Sequence, residues 1–331
     1  MIISKTPYRI SFFGGGTDFP QWYRENGGAV LSSTIDKYCY ISCRRRPPFF
    51  EAKHRFVYSE IENVNEIEDI RHPSIRAVLH WLRVSNALEI HHDGDLPARS
   101  GLGSSSSFTA GLLNVMRAMD GKIYSKEELA RDTIHVEQNV IGETVGSQDQ
   151  MAVVYGGLNK IEFRQDMQVV VQPVILSGDR IKQLNAHLLL FYTGIQRFAE
   201  NIEKEKIKSV KANYGALKNM HEMVGEAMTI LRATNFKIND FGKMLHESWL
   251  LKRSLSSKVS NDVIDEIYAT ALKAGATGGK VLGAGGGGFF MVFAQPKYHE
   301  AIIQKLEAFI HVPFKFEYQG SHISLYTPEV K

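Results

Sequence analysis

The sequence predicts an α+β fold, with helices packed against largely antiparallel sheet, and three features of its element order carry that prediction. Short strand-like runs separated by glycine turns fill the first half, and from about residue 180 the texture changes to one strand and then long charged helical stretches. The tail then reads helix, strand, glycine loop, strand, helix, strand. That tail is a split β-α-β pattern, whereas a doubly wound parallel sheet alternates strand and helix throughout.

In order, strand-like alternation falls at residues 7–13, 28–35, 37–43, 54–58 and 87–93. A glycine-serine loop opens an apolar helix near 104–119. Ser125, with Glu128 three residues on, forms a capping box that starts a second helix, which Gly142 can end. Past residue 180 come a strand at His187–Thr193, helical stretches near 199–231 and 238–256, and a helix at 262–274. Strands at 279–282 and 288–294, a helix at 297–310 and a strand at 313–318 complete the chain. The 331 residues exceed one typical domain, and the change of texture divides them into an N-terminal domain, 1–180, and a C-terminal domain, 181–331.

A net charge of +3 is too small to argue for nucleic acid, and the run Arg44-Arg45-Arg46 reads as a solvated strand end or a contact to an anionic substrate. Cys39 and Cys43 lie four apart in a strand-like run, roughly 13 Å between Cα atoms, too far for a disulfide. They read as reduced, buried residues. Lys5 and Arg9 interrupt the apolar N-terminus, and no apolar run approaches about 18 residues, so a cytoplasmic protein without membrane spans is expected.

Three glycine loops concentrate the chemistry. GAGGGG at 283–288 satisfies the dinucleotide fingerprint in letters but leads into the strand-like FFMVF instead of a helix, so it is no pyrophosphate site of that kind. Upstream, AGATGGKV lacks the first glycine and the metal-holding hydroxyl of a P-loop, with Ala274 and Val281 in those places. GLGSSSS at 101–107 stands directly before a helix apolar on nearly every face. Its unpaired backbone N–H groups, small hydroxyls and glycines make an anion cradle there. The third loop, RISFFGGGTDFP, carries Arg9 into Gly14-Gly15-Gly16 and Asp18, and alone it is an ordinary turn.

Two carboxylates stand out. On a helical wheel begun at Leu129, Glu137 falls at about 80°, in the middle of an apolar arc filled by Val136, Leu129, Val140, Thr133, Ala130, Ile141 and Ile134. A carboxylate there needs a cation, either a divalent metal near the cradle or a buried Arg or Lys. Asp149, twelve residues on, reads as a loop aspartate whose interest comes from its company. His91 and His92 are adjacent in a strand, point to opposite faces, and so make a poor metal pair.

PYRISFFGGGTD, PARSGLGSSSS and KVLGAGGGGF, in that order and at those separations, resemble the three motifs of the GHMP kinase superfamily (galactokinase, homoserine kinase, mevalonate kinase and phosphomevalonate kinase) over nearly the whole chain. The resemblance implies an N-terminal domain like the second domain of ribosomal protein S5, a ferredoxin-like C-terminal domain, and ATP with Mg²⁺ as cofactors. It makes Gly101, Leu102, Gly103, Ser104, Ser105 and Ser106 the nucleotide-phosphate cradle, and Ser105 with Glu137 the metal ligands. Asp149 becomes the acid beside the attacking hydroxyl, Arg9 its cationic partner in catalysis, and Asp18 a sugar contact. Gly15, Gly16, Gly285 and Gly286 would line the substrate. Gly15-Gly16 replace the Glu-His pair of galactokinase, which argues against galactose.

RISFFGGGTDFP, STIDKYCYI, DLPARSGLGSSSS and YTGIQR further resemble the bacterial heptose 7-phosphate kinases. The acceptor implied is the anomeric hydroxyl of a small-molecule sugar phosphate, whose phosphate Arg197 would hold, with Lys5, Arg45 and Arg99 as other cations of that type. The competing expectations are a kinase of a free sugar such as fucose, a catalytically inactive galactokinase-like regulator, and an S5-like RNA binder. Retention of Ser105, Glu137 and Asp149 weighs against the inactive regulator, and the weak charge weighs against RNA.

Overall fold

The computed structural model describes residues 1–195, 212–235 and 237–327. Its first sheet is built on the hairpin of β1 (Ile2–Phe13) and β2 (Gly28–Arg45). The sequence suggests two strands at 28–35 and 37–43, but β2 is continuous. The register steps from Tyr8 opposite Ile35 to Pro7 opposite Tyr38, so Asp36 and Lys37 are absorbed as an irregularity that bends the strand without ending it. β3 (His54–Val57) and β4 (Ile61–Val64) extend the sheet beyond β5 (Leu88–Gly94), while β6 (Leu158–Phe163) and β7 (Val169–Pro173) branch from the start of β2.

The second sheet has the order β11-β8-β10-β9, with β8 at Leu188–Tyr192, β9 at Ala276–Val281, β10 at Phe289–Ala294 and β11 at Ile310–His311. All of β10 is buried, as its unbroken apolar run requires of a strand covered on both faces. The tail then leaves this sheet. β12 (Phe316–Glu317) pairs with β2, and β13 (His322–Tyr326) forms the edge beside β1, so the end of the chain returns to the first layer.

In chain order the helices are α1 (Pro20–Asn26), α2 (Pro73–Trp81), α3 (Ser104–Met119), α4 (Lys126–His135), α5 (Gln148–Tyr155) and α6 (Gly178–Ala186). The second half adds α7 (Tyr214–Arg232), α8 (Ile238–Ser254), α9 (Asp262–Lys273) and α10 (His299–Lys305). α3 begins and ends where its apolar run does and lies against β1 and β2. Gly111 permits the close approach, since a Cβ there would stand 3.0 Å from Ser4 Oγ, and Ser4 donates to the Gly111 carbonyl.

The capping box at Ser125 and Glu128 is formed on both sides, and Gly142 closes the segment at φ 78°. Between them Val136–Ile141 is a π-helical turn, and the wheel loses phase there. Glu137 is buried, but Val140, assigned to the apolar arc, is exposed. No helix among the described residues is long and apolar enough to cross a membrane.

Candidate active site

Arg9, 2% exposed in the second half of β1, joins three segments. Its Nε and Nη2 donate to the two carboxylate oxygens of Asp149 at 2.7 and 2.6 Å, and its Nη1 donates to the Gly101 carbonyl at 2.7 Å. The Arg9 backbone N–H adds a bond to the Leu102 carbonyl. A planar guanidinium spends its fork on one carboxylate and keeps a further N–H for the loop, a geometry that lysine could not reproduce. Asp149 is not the loop residue expected from its glycine-rich surroundings. It lies in the first turn of α5, a quarter exposed at its side chain, where the helix dipole favours an acid.

The loop over residues 99–103 turns through three left-handed positions, at Arg99, Gly101 and Gly103, and delivers the N-terminus of α3. Gly103 favours glycine on two counts: its φ is 75°, and a Cβ would crowd Arg9 Cγ at 3.1 Å. Ser104 is half-buried and Ser105 exposed at the mouth of the loop, whereas Ser106 is buried. It is Ser106 that reaches Glu137, donating to its Oε2 at 3.0 Å.

Gln150 donates to the same Glu137 oxygen, which leaves Oε1 buried with no hydrogen-bond partner among the described residues. Burial pushes the Glu137 carboxyl up to about 8, with Glu143 adding to the rise and the Gln150 and Ser106 bonds opposing it. A buried carboxylate with one unpaired oxygen, beside a helix N-terminus lined with hydroxyls, fits a divalent cation held by oxygen donors.

Asp18 is 1% exposed and serves backbone groups: its Oδ1 accepts from Gly16 N–H at 2.9 Å and its Oδ2 from Gln148 N–H at 3.3 Å. Its own carbonyl accepts from Ser147 N–H, and Gly146 must lack a side chain because a Cβ would fall on the Asp18 carboxylate. Asp18 thus ties the 14–18 turn to the start of α5. Gly15 and Gly16 form the floor beside it, with Leu217 of α7 over Gly16.

The 283–288 loop also arrives here, filled by the protein's own backbone. Cβ atoms at Gly283 and Gly288 would strike Gly101 Cα at 2.6 Å and Ser100 O at 2.2 Å, and Phe289 N–H donates to Ser100 O. Gly285 abuts Val259, and Gly286 N–H donates to the Val259 carbonyl. Lys252 of α8, buried, secures the loop by donating to the Val281 and Gly283 carbonyls at 2.7 and 2.6 Å. Lys280 of β9, also buried, donates to the Phe12 carbonyl at 2.8 Å, just ahead of the Gly14 turn. Lys280 opens the KVLGAGGGGF motif, but nothing in that motif signals its reach to Phe12, and Lys252, beside Arg253 in a helix, carries no sequence signal.

Of the other cations, Lys5 lies over the Tyr38 ring, Arg44 pairs with Glu89, and Arg45 closes β2 at the end of the hairpin away from Arg9. Arg197 lies outside the described residues. Cys39 and Cys43 are both buried thiols that are not joined in a disulfide.

Residues 72–157 match the profile of the GHMP kinases N terminal domain and residues 230–311 that of the GHMP kinases C terminal domain. The chain is 30% identical over 317 residues to D-glycero-alpha-D-manno-heptose 7-phosphate kinase of Campylobacter jejuni, covering 92% of this chain and 93% of that one. It is 27% identical to the bifunctional fucokinase/GDP-fucose pyrophosphorylase of Arabidopsis thaliana, over 87% of this chain and 29% of that longer protein. The crystal structure of a D-glycero-D-manno-heptose 1-phosphate kinase from Bacteroides thetaiotaomicron superposes with a TM-score of 0.72 at 23% identity, over 99% of this chain and all of that one, and so shares its fold. The two matching domains, the full-length relative and the shared α+β architecture together mean that the chain belongs to the GHMP kinases.

Proposed function

We propose that the protein is an ATP-dependent kinase that phosphorylates the anomeric hydroxyl of D-glycero-α-D-manno-heptose 7-phosphate, giving the 1,7-bisphosphate in the cytoplasm on the way to nucleotide-activated heptose. The single observation that carries the kinase chemistry is the Arg9–Asp149 clamp held against the Gly101 carbonyl, because it sets a carboxylate beside the start of the α3 loop. The heptose acceptor is supported by the Campylobacter relative and by the pair Gly15-Gly16, which leaves that wall of the site without side chains.

In this reading the N–H groups from Gly101 to Ser106 receive the nucleotide phosphates, and Ser105 with Glu137 would hold Mg²⁺, Glu137 being held in turn by the Ser106 hydroxyl. Mg²⁺, when bound, neutralises charge on the transferring phosphates. Asp149 orients the acceptor hydroxyl and takes its proton. Arg9 keeps that carboxylate in one rotamer and places positive charge where the oxyanion develops. Asp18 holds the turn that shapes the sugar side, and Arg197 is assigned the 7-phosphate, while Gly285 and Gly286, packed on Val259, serve loop packing instead of the sugar.

The test is Mg·ATP-dependent ADP release across heptose 7-phosphate, free heptose, fucose and galactose, with phosphorus NMR of the product. Expected are preference for heptose 7-phosphate and a new resonance at the anomeric position. Faster turnover of free fucose would replace this acceptor, and no turnover on any sugar would overturn the reading.

A further inference from the structure

We propose that Gln148 is a second acceptor-binding side chain, donating from Nε2 to the sugar hydroxyl next to the one Asp149 faces; this rests on the kinase reading above. β1 presents Arg9 and Ser11 on one side of the strand, two residues and about 7 Å apart. Arg9 grips Asp149, and Ser11 donates its hydroxyl to Gln148 Oε1 at 3.0 Å, so consecutive residues in the first turn of α5 are held by alternate residues of one strand. Asp18 fixes the Gln148 backbone as well, accepting its N–H at 3.3 Å.

Oε1 accepts from the Ser11 hydroxyl, and the NH₂ is the half of the amide without a partner among the described residues. That NH₂ points across Gly15, where a Cβ would stand 3.8 Å from Nε2. Gly15 is the open position of its turn: a Cβ at Gly14 would strike the Ala29 carbonyl at 1.9 Å, and one at Gly16 would meet Leu217 at 3.0 Å. A half-buried donor therefore faces side-chain-free space one residue from Asp149. It suits a vicinal diol, with one hydroxyl on the Asp149 carboxylate and its neighbour accepting from the amide. For attack by an anomeric hydroxyl, the neighbour is the 2-hydroxyl.

The experiment compares full-length wild type with Gln148→Glu, which keeps the shape and the Ser11 bond but cannot donate, and with Gln148→Leu, on heptose 7-phosphate and its 2-deoxy analogue. Both variants should raise KM for the acceptor about tenfold, the scale of one hydrogen bond, while KM for ATP stays within about twofold. Wild type should lose about tenfold on the 2-deoxy analogue, and the variants no more than they have already lost. Should a Gln148 variant not fold, Gly15→Ala serves, since no positive φ and no tight contact burden it, and it should raise the acceptor KM by crowding the same space.

An unchanged acceptor KM in Gln148→Glu, or a wild type indifferent to the 2-hydroxyl, overturns the role while leaving the kinase reading standing. Absence of turnover by wild type on every sugar tested brings down both.

Discussion

Around residues 101–106, glycine backbone ends at a helix N-terminus with Ser105 exposed, whereas in the 283–288 loop the space left by Gly283, Gly285, Gly287 and Gly288 is taken by the protein's own chain, at Gly101, Val259, Ile195 and Ser100. The two stretches look alike in letters. The first frees donors for a ligand, and the second lets one layer of the molecule press backbone to backbone on the loop that carries those donors. Glycine enrichment marks close approach in both, and only the partner that approaches tells a cradle from a spacer.

The largest effect expected breaks the spacer. Gly288→Ala puts a Cβ 2.2 Å from the Ser100 carbonyl at a φ of 80°, so strain and overpacking add, and denaturant unfolding should show a loss of at least about 3 kcal/mol, or no folded protein. Gly121→Ala is its control, with a φ of 69° and nothing within 4 Å of the new atom, and should cost only about 1 kcal/mol. Equal losses at the two positions would mean that the contact with Ser100 is not what holds the loop.

Next in size, Asp149→Asn tests the cradle side, where chemistry and not packing is at stake. Turnover should fall by about 10² or more, the usual scale for a general base, with nucleotide affinity retained in a binding titration. Turnover within a few-fold of wild type would remove Asp149 as the group that handles the acceptor proton. Smaller again, Lys252→Met strips the donors from the Val281 and Gly283 carbonyls and should cost about 1–3 kcal/mol, read by denaturant unfolding, without moving the acceptor KM. A shift of that KM with stability intact would place Lys252 in substrate binding instead of loop support.

The same contrast explains what could be read from letters. The α3 boundaries, the capping box at Ser125 and the burial of Glu137 were legible because each is a local pattern of apolar spacing or paired caps. The π turn at Val136–Ile141 was not, since it leaves the composition unchanged while turning Val140 outward. Asp149 looked like a loop residue because glycines precede it, yet α5 starts one residue earlier, at Gln148, anchored by Asp18 from 130 positions away in the chain. The return of β13 to β1, the grip of Ser11 on Gln148 and the reach of Lys280 to Phe12 are all pairings at long sequence separation, for which no short motif exists.

The smallest effect follows from pH and separates the cradle from its surroundings. Glu137 has a folded pKa of about 8, above its ordinary 4.5, so between those values the folded protein keeps a proton that the unfolded chain has lost, and stability falls as pH rises. His54 runs the other way: burial, then Lys53 and Arg46, lower it from 6.5 to about 4, so stability is complete above pH 6.5 and is lost as pH falls toward 4. Between pH 6.5 and 8 the Glu137 slope is therefore unopposed by His54. Metal-free protein should lose up to about 1.4 kcal/mol per pH unit there, with faster amide exchange at 104–107 than at 283–288. Glu137→Gln should flatten the slope. A wild-type midpoint that holds steady from pH 6.5 to 8 would mean that Glu137 is already ionised at neutral pH, and the case for a cation at its unpaired oxygen would then rest on geometry alone.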